Sequence, residues 1–174
     1  MPITPLHALA FMFLYFKNKR LVDPLALAVS TTLIDLEPLY YYLLGEPLTH
    51  RVLHGFTLAL TAYPILTALG VYFAEHSFEV KLWAVYEMVQ LNPVKVKYPL
   101  LNIYLISLFG GFSHVFLDAF THEQMFWVLY PFTYGNSFYT GHTSIIMEIT
   151  VILLTFYSLI CWLKDKPIKL STEN

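Results

Sequence analysis

A chain of 174 residues with 57% hydrophobic and 13% charged positions departs from soluble domains, which run at roughly 45–50% apolar and about 25% charged. That balance points to one integral membrane domain over residues 1–174 and leaves no stretch for a separate soluble domain. The formal net charge of −2 comes with no basic cluster, so nothing suggests nucleic acid as a partner, and the single cysteine, Cys161, excludes an intrachain disulfide.

The N-terminus lacks a basic leader region and a small-residue cleavage site, so it reads as retained. Pro5 to Phe16 is apolar and about 18 Å long if helical, shorter than a hydrocarbon core of about 30 Å. Thr4 and Pro5 suit its N-cap and first turn, and Lys17, Lys19 and Arg20 end it. A second segment, Pro24 to about Leu44, is interrupted by Asp35, Glu37 and Pro38, and the proline predicts a break or kink at Glu37-Pro38. Irregular backbone at membrane depth is tolerated where it lines a protein or water cavity. A turn follows over 45–49.

The third helix is expected from about His50 to Phe73, with His50 and His54 on one face of its first turns and a kink at Pro64. Phe78 to Leu91 mixes Glu79, Lys81 and Glu87 with Leu82, Trp83, Val85 and Val89, which reads as an amphipathic interfacial helix. Pro99 to His122 is a fourth crossing, whose Gly110 and Gly111 allow close helix approach. The loop over 123–143 is dense in aromatic residues, an interfacial belt and a candidate lid over a lipid, and residues 144–163 form the last apolar helix. The fold expected is therefore all-α: a polytopic helical bundle of about five membrane-crossing helices plus one interfacial helix.

The basic residues then set the orientation. Nine of the ten Lys and Arg fall at 17–20, 75–97 and 164–174, which places these connections in the cytoplasm, and only Arg51 falls on the other side. His7, His50, His54, His114, His122 and His142 follow Arg51 to the extracytoplasmic end, as do Asp35 and Asp118. His76, beside Glu75, lies at the opposite end and reads as structural.

The centre of this convergence is Gly110 to His122, where His114, Asp118 and His122 stand four residues apart and share one helical face. A carboxylate and two imidazoles at bilayer depth cost several kcal/mol unless paired or bound to an ion, so the stripe is a candidate metal site. His7, Asp35, His50, His54 and His142 are the further candidate ligands, with Glu148 ranking below them. Asp35 and Glu37 are each candidates for ligand or catalytic base, and the forked guanidinium of Arg51 suits an anion, the structural alternative being a pair with Glu46. Imidazole and carboxylate without thiolate favour Zn²⁺, one to three ions, over Mn²⁺ or Fe²⁺.

Thr-Pro-Leu-His ending at His7, Asp35-Leu-Glu37, His50-Arg51 with His54, and His114-x-x-x-Asp118 together resemble the YdjM-like family of membrane-bound metal-dependent hydrolases. The order is more distantly similar to the zinc-dependent phospholipase C and single-strand nuclease superfamily. The chain departs from these patterns at Ile34, where the first family usually carries proline, and at His142 and Glu148, six apart where the soluble enzymes have His-x-x-x-Glu. The resemblance implies a hydrolase of the phospholipase or phosphatase type, with Glu37 as general base and Arg51 holding the substrate anion. The partner expected is a membrane lipid or lipid-linked phosphoester, and a homo-oligomer is compatible with this reading. A metal or proton transporter and a protein with a purely structural metal are the alternatives.

Overall fold

The computed structural model describes residues 5–46 and 50–165, so Thr4 as a cap, positions 47–49 of the first outer turn, and Lys166 and Lys169 of the tail lie outside the described residues. Every regular element among the described residues is helical. In chain order they are α1 (Pro5–Phe11), α2 (Phe13–Lys17), α3 (Pro24–Thr32), a 3₁₀ turn (Leu33–Asp35), α4 (Leu36–Leu43) and a second 3₁₀ turn (Val52–His54). They continue with α5 (Phe56–Leu60), α6 (Ala62–Ser77), α7 (Glu79–Met88), α8 (Leu100–Thr121) and α9 (Gly141–Lys164).

The helix breaks trace to prolines, but upstream of them. Pro38 has no N–H to offer the carbonyl of Ile34 four residues back, and its ring crowds that carbonyl. The chain therefore tightens into the 3₁₀ turn over Leu33–Asp35, while Pro38 itself sits in the first turn of α4, where a missing N–H costs nothing. Pro64 acts alike: the break falls at Thr61, between α5 and α6, and not at the proline.

Among the described residues only α8 and α9, with 22 and 24 residues, are both long and apolar enough to cross a membrane. At 1.5 Å per residue they measure about 33 and 36 Å. Helix α8 is the axis of the bundle, packed by α3, α6, α5 and α9, while α1 lies between α9 and α3. Glycines make the closest approach: a Cβ on Gly110 would stand 1.8 Å from Ser30 Oγ and 2.7 Å from Ser30 Cβ on α3. On the same helix Gly111 lies against the Tyr63 ring of α6, whose hydroxyl donates to the Ser30 carbonyl at 2.8 Å. Apolar clusters pack on both sides of this contact, one around Ile34, Ala59, Val115 and Ala119, the other around Ala26, Ala68, Val71 and Ile103.

The outside of the bundle stays apolar. Ile146, Leu153, Phe156 and Leu163 on α9, and Leu66 and Phe73 on α6, are all more than half exposed. Contiguous exposure on this scale marks an interaction or membrane surface. Helix α7 forms where expected, but Val80, Trp83, Val85 and Met88 are all exposed around its circumference, so it carries no single apolar stripe. The described parts of the three basic connections meet at one end, where the Lys19 ammonium donates to the Asn92 carbonyl at 3.0 Å and to Asp165, and Tyr98 donates to the Lys19 carbonyl at 2.8 Å.

Candidate metal centre

At the other end, the C-terminal half of α8 carries His114 and Asp118 into the core, at 0% and 1% exposure. His7 from α1, also 1% exposed, lies edge-on to His114 with ring centroids 4.5 Å apart. The 3₁₀ turn before α4 brings Asp35, whose Oδ1 stands 3.1 Å from His114 Nε2 and 3.2 Å from His54 Nε2.

His50 and His54 do not share an α-helix, contrary to the expectation from spacing. His50 lies outside any regular element and His54 ends the second 3₁₀ turn, after which Gly55 adopts extended backbone against the 123–140 loop. A Cβ there would come within 2.7 Å of the Trp127 carbonyl, and Phe56 N–H donates to the Val128 carbonyl at 3.0 Å. The loop thus does more than form an aromatic belt. Met125 and Val128 are buried under the turn that holds His50 and His54, and Asn136 donates to the carbonyls of Ala119 and His122, both at 2.8 Å. His122 is the residue just past α8, in extended backbone, yet its Nε2 still comes 3.7 Å from Asp118 Oδ1.

Asp118 is the hub. Its Oδ1 faces His7 Nε2 at 3.5 Å and His122 Nε2, while its Oδ2 faces His114 at 3.1 Å, His50 at 3.5 Å and His54 at 3.9 Å, each through Nε2. Two sets of donor atoms result, each gathered within 4.8 Å: Asp35, His54, His114 and Asp118, and then His50, Asp118 and His122. One carboxylate belongs to both.

The protons decide what this arrangement needs. His114 Nδ1 lies 2.7 Å from the Thr31 carbonyl, an acceptor only, so that nitrogen carries a proton and in the neutral ring Nε2 keeps its lone pair. His54 Nδ1 is fixed likewise by Glu37 Oε2 at 2.9 Å. The Nε2 lone pairs of both rings therefore point at carboxylate oxygens, acceptor against acceptor. His114 Nε2, both ring nitrogens of His7 and Asp118 Oδ1 are buried with no hydrogen-bond partner among the described residues. Such atoms are costly unless a cation or extra protons lie between them. The residues fit a metal, with imidazole and carboxylate suited to Zn²⁺.

Four candidates sit away from the two donor sets. Glu37 does not face the centre as a base: its carboxylate accepts from Arg51 N–H and Leu53 N–H, both at 3.0 Å, and from His54, so it orients a ligand from behind. His142, in the first turn of α9, is exposed and belongs to neither donor set, because the capping box of Thr140 and Thr143 starts the helix with that residue turned out. Glu148 is exposed too, in contact with Ser144. Arg51 pairs with Glu46 and lays its guanidinium 3.7 Å from the Tyr41 ring centroid. Spacing gave no sign of Thr31, which acts through its carbonyl and so carries no side-chain signal.

No curated protein and no solved structure matches the chain. The profile of a family described as a domain of unknown function, DUF4184, matches residues 1–166, which include every donor of the cluster, and the chain belongs to that family.

Proposed function

We propose that this chain is a membrane-embedded, metal-dependent hydrolase acting on a phosphoester or phosphodiester of a lipid or lipid-linked substrate. The observation that supports this most is Asp118, a single buried carboxylate set between five imidazoles so that it serves two adjacent donor sets. Zinc bound by these residues would supply Lewis acidity toward a phosphoester and a water of lowered pKa. Asp35, His54, His114 and Asp118 would hold one ion, and His50, His122 and Asp118 a second, with His7 beside the shared carboxylate. Arg51, next in sequence to His50, is assigned to the substrate anion, which would take the place of Glu46.

A lipid substrate is supported by a groove of about 510 Å³ lined by apolar side chains. Leu36 and Leu53, the sequence neighbours of Asp35, Glu37 and His54, line one end, and α6 from Ala62 to Ala74 forms the wall, about 18 Å of helix. In this reading the α1–α2, α3–α4 and α5–α6 segments cross the membrane with α8 and α9, five crossings in all. The basic connections then lie in the cytoplasm and the metal centre toward the extracytoplasmic side.

The test is elemental mass spectrometry on detergent-purified protein, wild type beside His114→Ala, with hydrolysis of a long-chain anionic phospholipid before and after chelation. Stoichiometric zinc that is lost in the variant, with chelator-sensitive hydrolysis in the wild type, is the expected result. Zinc without hydrolysis of any phosphoester, accompanied by zinc flux in liposomes, would replace the proposal with transport. Glu37→Gln separates ligand support from base catalysis. Zinc affinity is expected to fall about 10- to 100-fold, as for other partners of a metal-bound histidine, with kcat retained at saturating zinc; a kcat loss that zinc cannot restore would make Glu37 the base.

A further inference from the structure

The end of the bundle opposite the histidines holds a second buried polar cluster. Asp23 and Glu75 are both 0% exposed and face each other within hydrogen-bonding reach. Each spends one oxygen on the backbone: Asp23 Oδ1 accepts from Leu25 N–H at 2.8 Å, starting α3, and Glu75 Oε2 accepts from Tyr98 N–H at 3.1 Å. The other oxygens, Asp23 Oδ2 and Glu75 Oε1, accept from no N–H or other hydroxyl among the described residues, and the hydroxyls of Tyr15 and Tyr86, at 0% and 3% exposure, have no hydrogen-bond partner there either. Tyr86 lies in the field of both carboxylates and Tyr15 in that of Asp23, so the four orphaned oxygens share one neighbourhood.

Two carboxylates buried side by side cost several kcal/mol each unless their charge is cancelled. Among the described residues no lysine or arginine pairs with either one. Lys19 is engaged by Asp165 and Lys97 by Glu79, and the Lys95 ammonium stands over the Tyr98 ring, 4.8 Å from its centroid, where its charge reaches Glu75 without forming an ion pair. The donors here are oxygens alone, without an imidazole, which is the preference of a hard cation and unlike the nitrogen-rich centre at the other end. A charge of +2 balances the two carboxylates, whereas a monovalent ion leaves one negative charge buried.

We infer that Asp23, Glu75, Tyr15 and Tyr86 form a second, separate site for one hard divalent cation, Mg²⁺ or Ca²⁺, at the end of the bundle away from the histidine cluster. Its donors come from α2, the entry to α3, the last turn of α6, and α7, with the 95–98 link held alongside through Tyr98. An ion there ties the 17–20 and 75–97 connections to the helices. This site is independent of the hydrolase proposal, since none of its donors belongs to the histidine centre.

The experiment is calorimetric titration of CaCl₂ and of MgCl₂ into the full-length, zinc-saturated protein in detergent, with thermal unfolding followed at each concentration. One equivalent of cation is expected to bind and the midpoint to rise with concentration. Asp23→Asn and Glu75→Gln should each weaken binding at least tenfold, with zinc content unchanged. Without added cation Glu75→Gln should melt above the wild type, because it removes a buried charge, and in saturating cation the order should reverse. Tyr86→Phe, which removes one oxygen and no charge, should fold normally and bind several-fold more weakly, so the inference stays testable if the carboxylate variants fail to fold. Absence of Ca²⁺ and Mg²⁺ binding, with wild-type stability falling as pH rises and Glu75→Gln indifferent to pH, would overturn the site in favour of a shared proton. Binding that is unchanged in Tyr86→Phe and in either carboxylate variant would place the ion elsewhere and equally overturn it.

Discussion

Asp118→Asn is expected to lose more than half of the bound zinc and to lower phospholipid hydrolysis by at least on the order of 10³-fold, about 4 kcal/mol of transition-state stabilisation. The size of the effect follows from geometry. Removing His50 or His54 takes a donor from one set, but Asp118 is the donor common to both, with Oδ1 turned to His7 and His122 and Oδ2 to His50, His54 and His114. Asparagine keeps the shape and replaces one oxygen by an NH₂ group, which turns donors toward an imidazole lone pair or a metal. Because the side chain is isosteric and 1% exposed, packing on α8 is preserved and the helical circular dichroism should match the wild type. Metal content separates the outcomes. A variant that keeps two equivalents of zinc would show that the carboxylate bridges nothing, and hydrolysis persisting after the zinc is lost would separate the activity from this centre.

Much of the site was legible because its spacing is local. His114, Asp118 and His122 announce one helical face, and the position of nine basic residues at the opposite end predicts that His7, Asp35, His50 and His54 gather with them. What was not legible depends on how separate segments turn back on one another. Glu37 reads as a catalytic carboxylate two residues from Asp35, yet its partners are the N–H groups of Arg51 and Leu53 and the far nitrogen of His54, and these are reached only because Gly55 bends the chain. His142 was chosen by residue type and by the side of the bundle that the basic residues assign it, and the capping box that turns it outward is a Thr140 to Thr143 contact with no bearing on chemistry. The helix breaks at Leu33–Asp35 and at Thr61 follow from Pro38 and Pro64, but sequence reasoning placed them at the prolines, whereas the strain falls on the carbonyls upstream. Asp23 and Glu75 come from segments 52 positions apart, and nothing in either segment foretells the other.

Gly110→Ala should destabilise the protein by about 1–3 kcal/mol, and its sign is the informative part. In an open helix interior the same change stabilises by roughly 0.5–1 kcal/mol, because alanine has the higher helix propensity. Gly70 on α6 provides that control, since a Cβ there meets nothing within 4 Å, and Gly70→Ala should raise the thermal midpoint. At Gly110 the new methyl would meet Ser30 Oγ and Cβ at 1.8 and 2.7 Å, and the Ser30 backbone carbon at 3.2 Å, so α3 has to move outward. Thr31 moves with it. Its carbonyl, 2.7 Å from His114 Nδ1, sets the orientation of that imidazole, so zinc affinity should fall along with stability, by about 10- to 100-fold. Ser30→Gly removes the opposing side chain and clears most of the clash, while the Ser30 carbonyl that Tyr63 binds is kept. Ser30→Gly alone costs about 0.5 kcal/mol of helix propensity, and the double variant should be no less stable than Ser30→Gly. The coupling expected from the unfolding free energies of the four proteins in the cycle is therefore at least about 1 kcal/mol, with zinc affinity recovered in parallel. Strict additivity would mean that Gly110 does not set the separation of α3 and α8. Recovered stability without recovered zinc would mean that the separation is set there but that the Thr31 carbonyl does not govern the histidine.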